Sequence, residues 1–83
     1  MSKRDEVLEA IRQHLSGRGI EAERVKPDSH LATDLDLDSL DTVELTLGLE
    51  QYFDIEIPDS DLENVALVSD AIDVIAPKLG ASA

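Results

Sequence analysis

A chain of 83 residues with 7 Lys and Arg against 19 Asp and Glu has room for one small domain, 1–83, and carries a net charge of −12. The absence of cysteine excludes disulfides, a thiolate zinc site and a cysteine nucleophile, and no apolar run reaches the roughly 20 residues that cross a bilayer. The charge is uneven: residues 1–31 balance six acids with six bases, whereas residues 32–83 hold thirteen acids and one base, Lys78. Such a field repels nucleic acid and anionic lipid and attracts basic protein surfaces.

The first helix is expected to start after Ser2, with Asp5 completing a capping box. Val7, Leu8, Ile11 and Leu15 recur at helical spacing, and Gly17 and Gly19 end the pattern. The N-terminal residues turn charged and amphipathic at once, unlike a signal peptide, so a soluble cytoplasmic protein is expected. Residues 16–37 have no clean period, yet Ile20, Val25, Leu31, Leu35 and Leu37 are enough to pin this long connection to a core.

A second helix is expected from Asp38 or Ser39 to about Phe53. Leu40, Val43 and Leu47 form one apolar row and Leu45, Leu49 and Phe53 another, with Asp41, Glu44, Gly48 and Gln51 facing outward. An apolar arc this wide predicts a helix at the centre of the bundle. Pro58 opens a short helix through Asp59–Glu63. A last helix is expected to begin at Ser69 as its cap, to bury Ala71, Ile72 and Ile75, and to be limited by Pro77. Alternation at Leu35/Leu37 and Ile55/Ile57 is too short for a sheet. The expected fold is all-α, with three longer helices, one short helix and a long first loop.

Catalytic candidates are scarce. Neither His14 nor His30 lies near Ser39 in sequence or has an obvious orienting partner, the four glycines are scattered, and the carboxylates read as a solvated face, so no enzyme is expected. The densest pattern is Asp34-Leu35-Asp36-Leu37-Asp38-Ser39-Leu40-Asp41-Thr42-Val43-Glu44-Leu45. Three readings compete there. Asp34, Asp36 and Asp38 match the first three ligands of a calcium loop, but Ser39 replaces its turn glycine, Asp41 its apolar position and Leu45 its bidentate glutamate. The segment also reads simply as a helix start, with Asp38 or Ser39 as cap and Asp41 and Glu44 near the positive end. Thirdly, Ser39 is an exposed hydroxyl in a first helical turn, where backbone amides favour a phosphate, and so suits covalent attachment by another enzyme.

The same run resembles the modification motif of the acyl carrier proteins, discrete type, in which the serine of Asp-Ser-Leu carries 4′-phosphopantetheine. Phe53-Asp54-Ile55-Glu56-Ile57-Pro58-Asp59 is similar to the family's connection after its second helix, and Ala71-Ile72-Asp73-Val74-Ile75 to its last helix. The resemblance runs from Val7 to Ile75. It implies a small four-helix bundle, a 4′-phosphopantetheine arm from coenzyme A on Ser39, and an acyl thioester able to fold back between the helices. It further implies a monomer served by a phosphopantetheinyl transferase and by synthase enzymes with basic patches, in fatty-acid or polyketide synthesis. Their contacts, carried over by position, are Asp38, Leu40, Asp41, Glu44, Leu47 and Glu50, though Leu40 and Leu47 read equally as core. The rival reading is an acidic helical adaptor or calcium-responsive module with no covalent arm. Two departures stand out: Asp36 and Leu37 occupy the places where the family commonly has a glycine, and Gly48 interrupts the second helix at a cost of about 1 kcal/mol relative to Ala. Reversing Asp41 and Glu44 to Lys is expected to weaken turnover by partners and leave the fold intact.

Overall fold

The computed structural model describes residues 2–81, with side chains to Leu79. Four α-helices follow in order: α1 (Lys3–Ser16), α2 (Ser39–Phe53), α3 (Asp59–Leu62) and α4 (Val68–Ala81). A 3₁₀ turn, Ala22–Arg24, interrupts the long first connection. Among the described residues there is no strand, only one antiparallel bridge between His30 and Leu67.

Ser2 caps α1 as its sequence predicts: its hydroxyl accepts from the Asp5 amide at 3.1 Å, and Asp5 returns the bond to the Ser2 amide. The i, i+4, i+8 seam Val7, Ile11 and Leu15 is fully buried. This helix, rather than α2, is central, because it packs against both α4 and α2. The expectation of a central α2 fails on one row. Leu45 and Leu49 are buried, whereas Leu40, Val43 and Leu47 stand 72%, 48% and 52% exposed. Helical period identifies a row but not what covers it.

Gly48 also departs from expectation, since it faces α1 and not solvent. A Cβ built there would lie 2.5 Å from Cε1 and 2.7 Å from Nδ1 of His14. The missing side chain is the space into which the imidazole packs, which explains a glycine inside a helix.

The long connection is fixed by its apolar residues and by its backbone. Val25, Leu31, Leu35 and Leu37 are all buried. Leu31 donates its amide to the Ala66 carbonyl at 2.9 Å, Val68 to Ser29 at 2.9 Å and Ser69 to Pro27 at 2.8 Å. The chain is thereby laced to the segment before α4. Arg12 of α1 donates Nε to the Val25 carbonyl at 3.0 Å from the other side.

That lacing draws α4 back by one residue. It begins at Val68, so Ser69 lies inside the helix and is not its cap. Asp70 caps the helix start instead, its Oδ2 accepting the Leu67 amide at 2.9 Å and the Ala66 amide at 3.0 Å. Pro77 does not end α4, which continues to Ala81. Proline removes one amide, the one that would have reached Asp73, and so near a terminus its cost is limited.

These contacts make two expectations measurable. Gly48→Ala in a His14→Ala background is expected to gain about 1 kcal/mol from helix propensity. In the wild-type background the imidazole should remove at least about 0.5 kcal/mol of that gain, a coupling that a denaturant double-mutant cycle measures. The second concerns Asp70, whose carboxyl is held below its ordinary 3.8 first by the Leu67 amide, then by the Ala66 amide, with desolvation opposing and the nearby His30 adding a little. A lowered folded value stabilises above the unfolded value and is lost as pH falls through the folded one. The stability difference between wild type and Asp70→Ala should therefore be full at neutral pH and narrow below about pH 4 in acid-denaturation curves.

Candidate functional site

Ser39 is the first residue of α2 and is exposed. Its position is set by a reciprocal pair on either side of it. Asp38 accepts the Asp41 amide at 2.8 Å, and Asp41 accepts the Asp38 amide at 3.2 Å. Both partners of this capping box are carboxylates, and both suit the positive end of the helix. No hydrogen bond to the Ser39 hydroxyl occurs among the described residues.

The turn leading to Ser39 is built without glycine. Asp36, three residues before it, has φ 56°, in the left-handed region that glycine enters freely. Aspartate is among the few side chains that tolerate it, at a cost glycine avoids. The residues before Asp36 are held by His30, whose amide donates to Asp34 Oδ2 at 2.7 Å. The His30 Nδ1 accepts the Ala32 and Thr33 amides at 3.2 and 3.3 Å.

These bonds bear on the calcium-loop reading. The Asp34 and Asp38 carboxylates accept from backbone amides, and among the described residues no cluster of three metal-ligating side chains forms. His14 packs on Gly48 and His30 braces its own turn, and neither meets Ser39.

The six expected contact residues divide by exposure and by bonding. Leu40 and Leu47 are surface residues and not part of the core. Glu44 is 63% exposed at its side chain. Asp38 and Asp41 hold the capping box, and Glu50 accepts the Ile57 amide at 3.2 Å. The sequence concealed one residue: Arg18, in the turn after α1, donates Nη1 to Glu44 Oε2 at 2.7 Å and Nη2 to Asp41 Oδ1. It is 23 and 26 positions from its partners, so no local pattern announces it.

Two of the hollows beside α2 differ sharply in character. A surface cleft of about 550 Å³ lies at the far end from Ser39, between Glu6, Glu9 and Gln13 of α1 and Tyr52 and Phe53. The other is enclosed and apolar, about 20 Å³, lined by Leu31, Thr42, Thr46, Leu49, Leu62 and Ile75 among others. Its Thr42 lies one helical turn from Ser39. Both threonine hydroxyls are satisfied by donating to carbonyls one turn back, Thr42 to Asp38 at 3.0 Å and Thr46 to Thr42 at 2.9 Å. The smaller hollow has the chemistry for an alkyl chain, but such a chain enters only if the helices part, because the space holds little more than a water.

A family model described as the phosphopantetheine attachment site matches residues 6–75. The chain is 48% identical over 63 residues to an acyl carrier protein of Picosynechococcus sp., covering 76% of this chain and 78% of the relative. It is 45% identical over 75 residues to one of Chlorobium luteolum, covering 90% and 92%.

The geometry revises the expected outcome of charge reversal. Asp41→Lys removes the return bond of the capping box, sets a cation at the positive helix end and faces Arg18, so it should destabilise by about 1–2 kcal/mol. Glu44→Lys loses only an exposed pair and should stay within about 0.5 kcal/mol of wild type in chemical denaturation.

Proposed function

This chain belongs to the acyl carrier protein family, whose members hold acyl groups as thioesters on 4′-phosphopantetheine, and from that membership we propose that Ser39 bears the arm. The carrying observation is the exposed Ser39 at the first residue of α2, beside the Asp38–Asp41 capping box. A phosphodiester there meets first-turn amides that have no intrahelical acceptor. The neighbouring carboxylates are drawn into the box and toward Arg18, which lessens their repulsion of the phosphate.

The protein is then a passive holder, with no catalysis of its own. A separate transferase activates the Ser39 hydroxyl, and the phosphate of coenzyme A becomes the link as the adenosine bisphosphate part leaves. The acyl thioester forms at the distal thiol of the arm. The apolar hollow between α2, α3 and α4 shelters the chain between visits to enzymes, by opening around it.

Partners read the exposed side of α2. Leu40, Val43 and Leu47 offer apolar contact, and Glu44 with Asp41 offers negative charge to a basic patch. Asp38 and Glu50 take part through the structure they hold more than as free charges. No helix among the described residues is long and apolar enough to cross a membrane, and the reading is of a cytoplasmic monomer in fatty-acid or polyketide synthesis.

The test is chemical. Incubation with coenzyme A, magnesium and a broad phosphopantetheinyl transferase should add the mass of one phosphopantetheinyl group, and Ser39→Ala should stay at its original mass. A transferase that loads another carrier but leaves this one untouched would refute the assignment.

A further inference from the structure

Arg18 occupies the carboxylates that a basic partner would use. Its guanidinium spans two residues three apart on α2, Asp41 and Glu44, with one nitrogen on each. Among the described residues it is the one Lys or Arg that pairs with a carboxylate of α2; Lys78 is spent on Asp61, Arg4 on Asp73 and Arg12 on Glu9. The turn that carries it is fixed on both sides. Arg18 and Ile20 donate their amides to the Leu15 carbonyl at 2.9 and 3.1 Å, and Gly19 adopts φ 90° between them, which a glycine alone takes without strain.

We propose that Arg18 is a specificity-determining residue: an internal competitor for the carboxylates that partners read, which sets the affinity and the salt dependence of docking. The inference rests on the reading above, that partners dock on Asp41 and Glu44. A partner's basic side chain meets these acids already paired and gains only by displacing the guanidinium. Displacement is inexpensive, since Arg18 is one-third exposed and Glu44 mostly so, and exposed pairs are weak. Asp41 does not move when Arg18 leaves, because the capping box still holds it to the Asp38 amide. The released site is therefore preorganised. A partner with several bases in place gains from the exchange, whereas a stray cation does not, so the fork filters by the number and spacing of partner charges.

The experiment uses the apo-protein and a phosphopantetheinyl transferase, with arm transfer from coenzyme A followed by intact mass at low and physiological salt. Arg18→Gln and Lys26→Gln lower the net charge equally, and only the first bears on α2. Arg18→Gln is expected to lower KM about two- to fivefold relative to Lys26→Gln, with kcat unchanged and a steeper dependence on salt. Arg18→Lys, which keeps the charge and loses the fork, should fall between Arg18→Gln and wild type. The gain should shrink in a Glu44→Gln background, where only the Asp41 pair is left to release. Equal KM values for Arg18→Gln and Lys26→Gln, or a raised KM for Arg18→Gln with its melting curve intact, would overturn the competitor. A Glu44→Gln protein loaded with wild-type KM would instead overturn the docking reading and the inference with it. Loading of Ser39→Ala would overturn the attachment site alone.

Discussion

The backbone of the long connection must find hydrogen-bond partners outside regular structure, and the way it does so places everything that follows. An unpaired buried amide or carbonyl costs about as much as a lost hydrogen bond. Leu31, Ser29 and Pro27 meet that demand by exchanging bonds with Ala66, Val68 and Ser69, which line the start of α4. One set of bonds therefore fixes two things at once. It sets where α4 begins, and it brings the chain round so that Leu35 and Leu37 are buried and the residues between and after them are not. Asp36 then has to reverse direction in a left-handed conformation, and Asp38 arrives in extended backbone as a cap. Ser39 is exposed because its neighbours have been assigned.

The acidic character of the second half of the chain looks uniform as composition and is divided as structure. Asp34, Asp38, Asp41, Glu50 and Asp70 each accept a backbone amide, so they build turns and helix starts. Their net contribution comes through fixed geometry near amide dipoles, where a charge-assisted bond is stronger than a neutral one. Of the remaining acids, Asp61, Asp73 and Glu44 meet a basic side chain. On α2 the one acid without an amide bond is Glu44, whose side chain is mostly exposed and is shared with Arg18. Net charge sets the long-range field, while the acids of α2 that hold amides or pair with Arg18 have fixed places within it.

Local features were legible in the residues. Ser2 with Asp5, the span Ser39–Phe53, and Pro58 before a short helix all announce themselves within one or two turns. What stayed hidden depends on contacts between distant positions. The two apolar rows of α2 are equivalent by period, and only the packing of α1 shows that Leu45 and Leu49 are inside while Leu40 and Leu47 are outside. Gly48 reads as a defect until His14 is seen beside it. Ser69 reads as a cap, but its amide is committed to Pro27 and the Asp70 carboxylate takes the amides of Leu67 and Ala66. The run Asp34–Leu45 could be read as a unit because it is contiguous, whereas Arg18, which pairs with its Asp41 and Glu44, lies far from it in sequence.

The exposed row of α2 carries the last step. Three aliphatic side chains at one-turn spacing, Leu40, Val43 and Leu47, are left in water on a helix whose opposite face supplies core. For a molecule with so few large side chains this is costly, since each would stabilise by about 1.5–3 kcal/mol if fully buried. Folding alone gives no reason to withhold them. A surface that is apolar in the middle and acidic beside it suits brief association, in which burial gives affinity and charge gives orientation. Arg18 then has a physical logic. On the docking reading proposed above, the apolar row would bind without discrimination, and the acids already paired with the Arg18 guanidinium would supply it by favouring partners whose bases match their spacing.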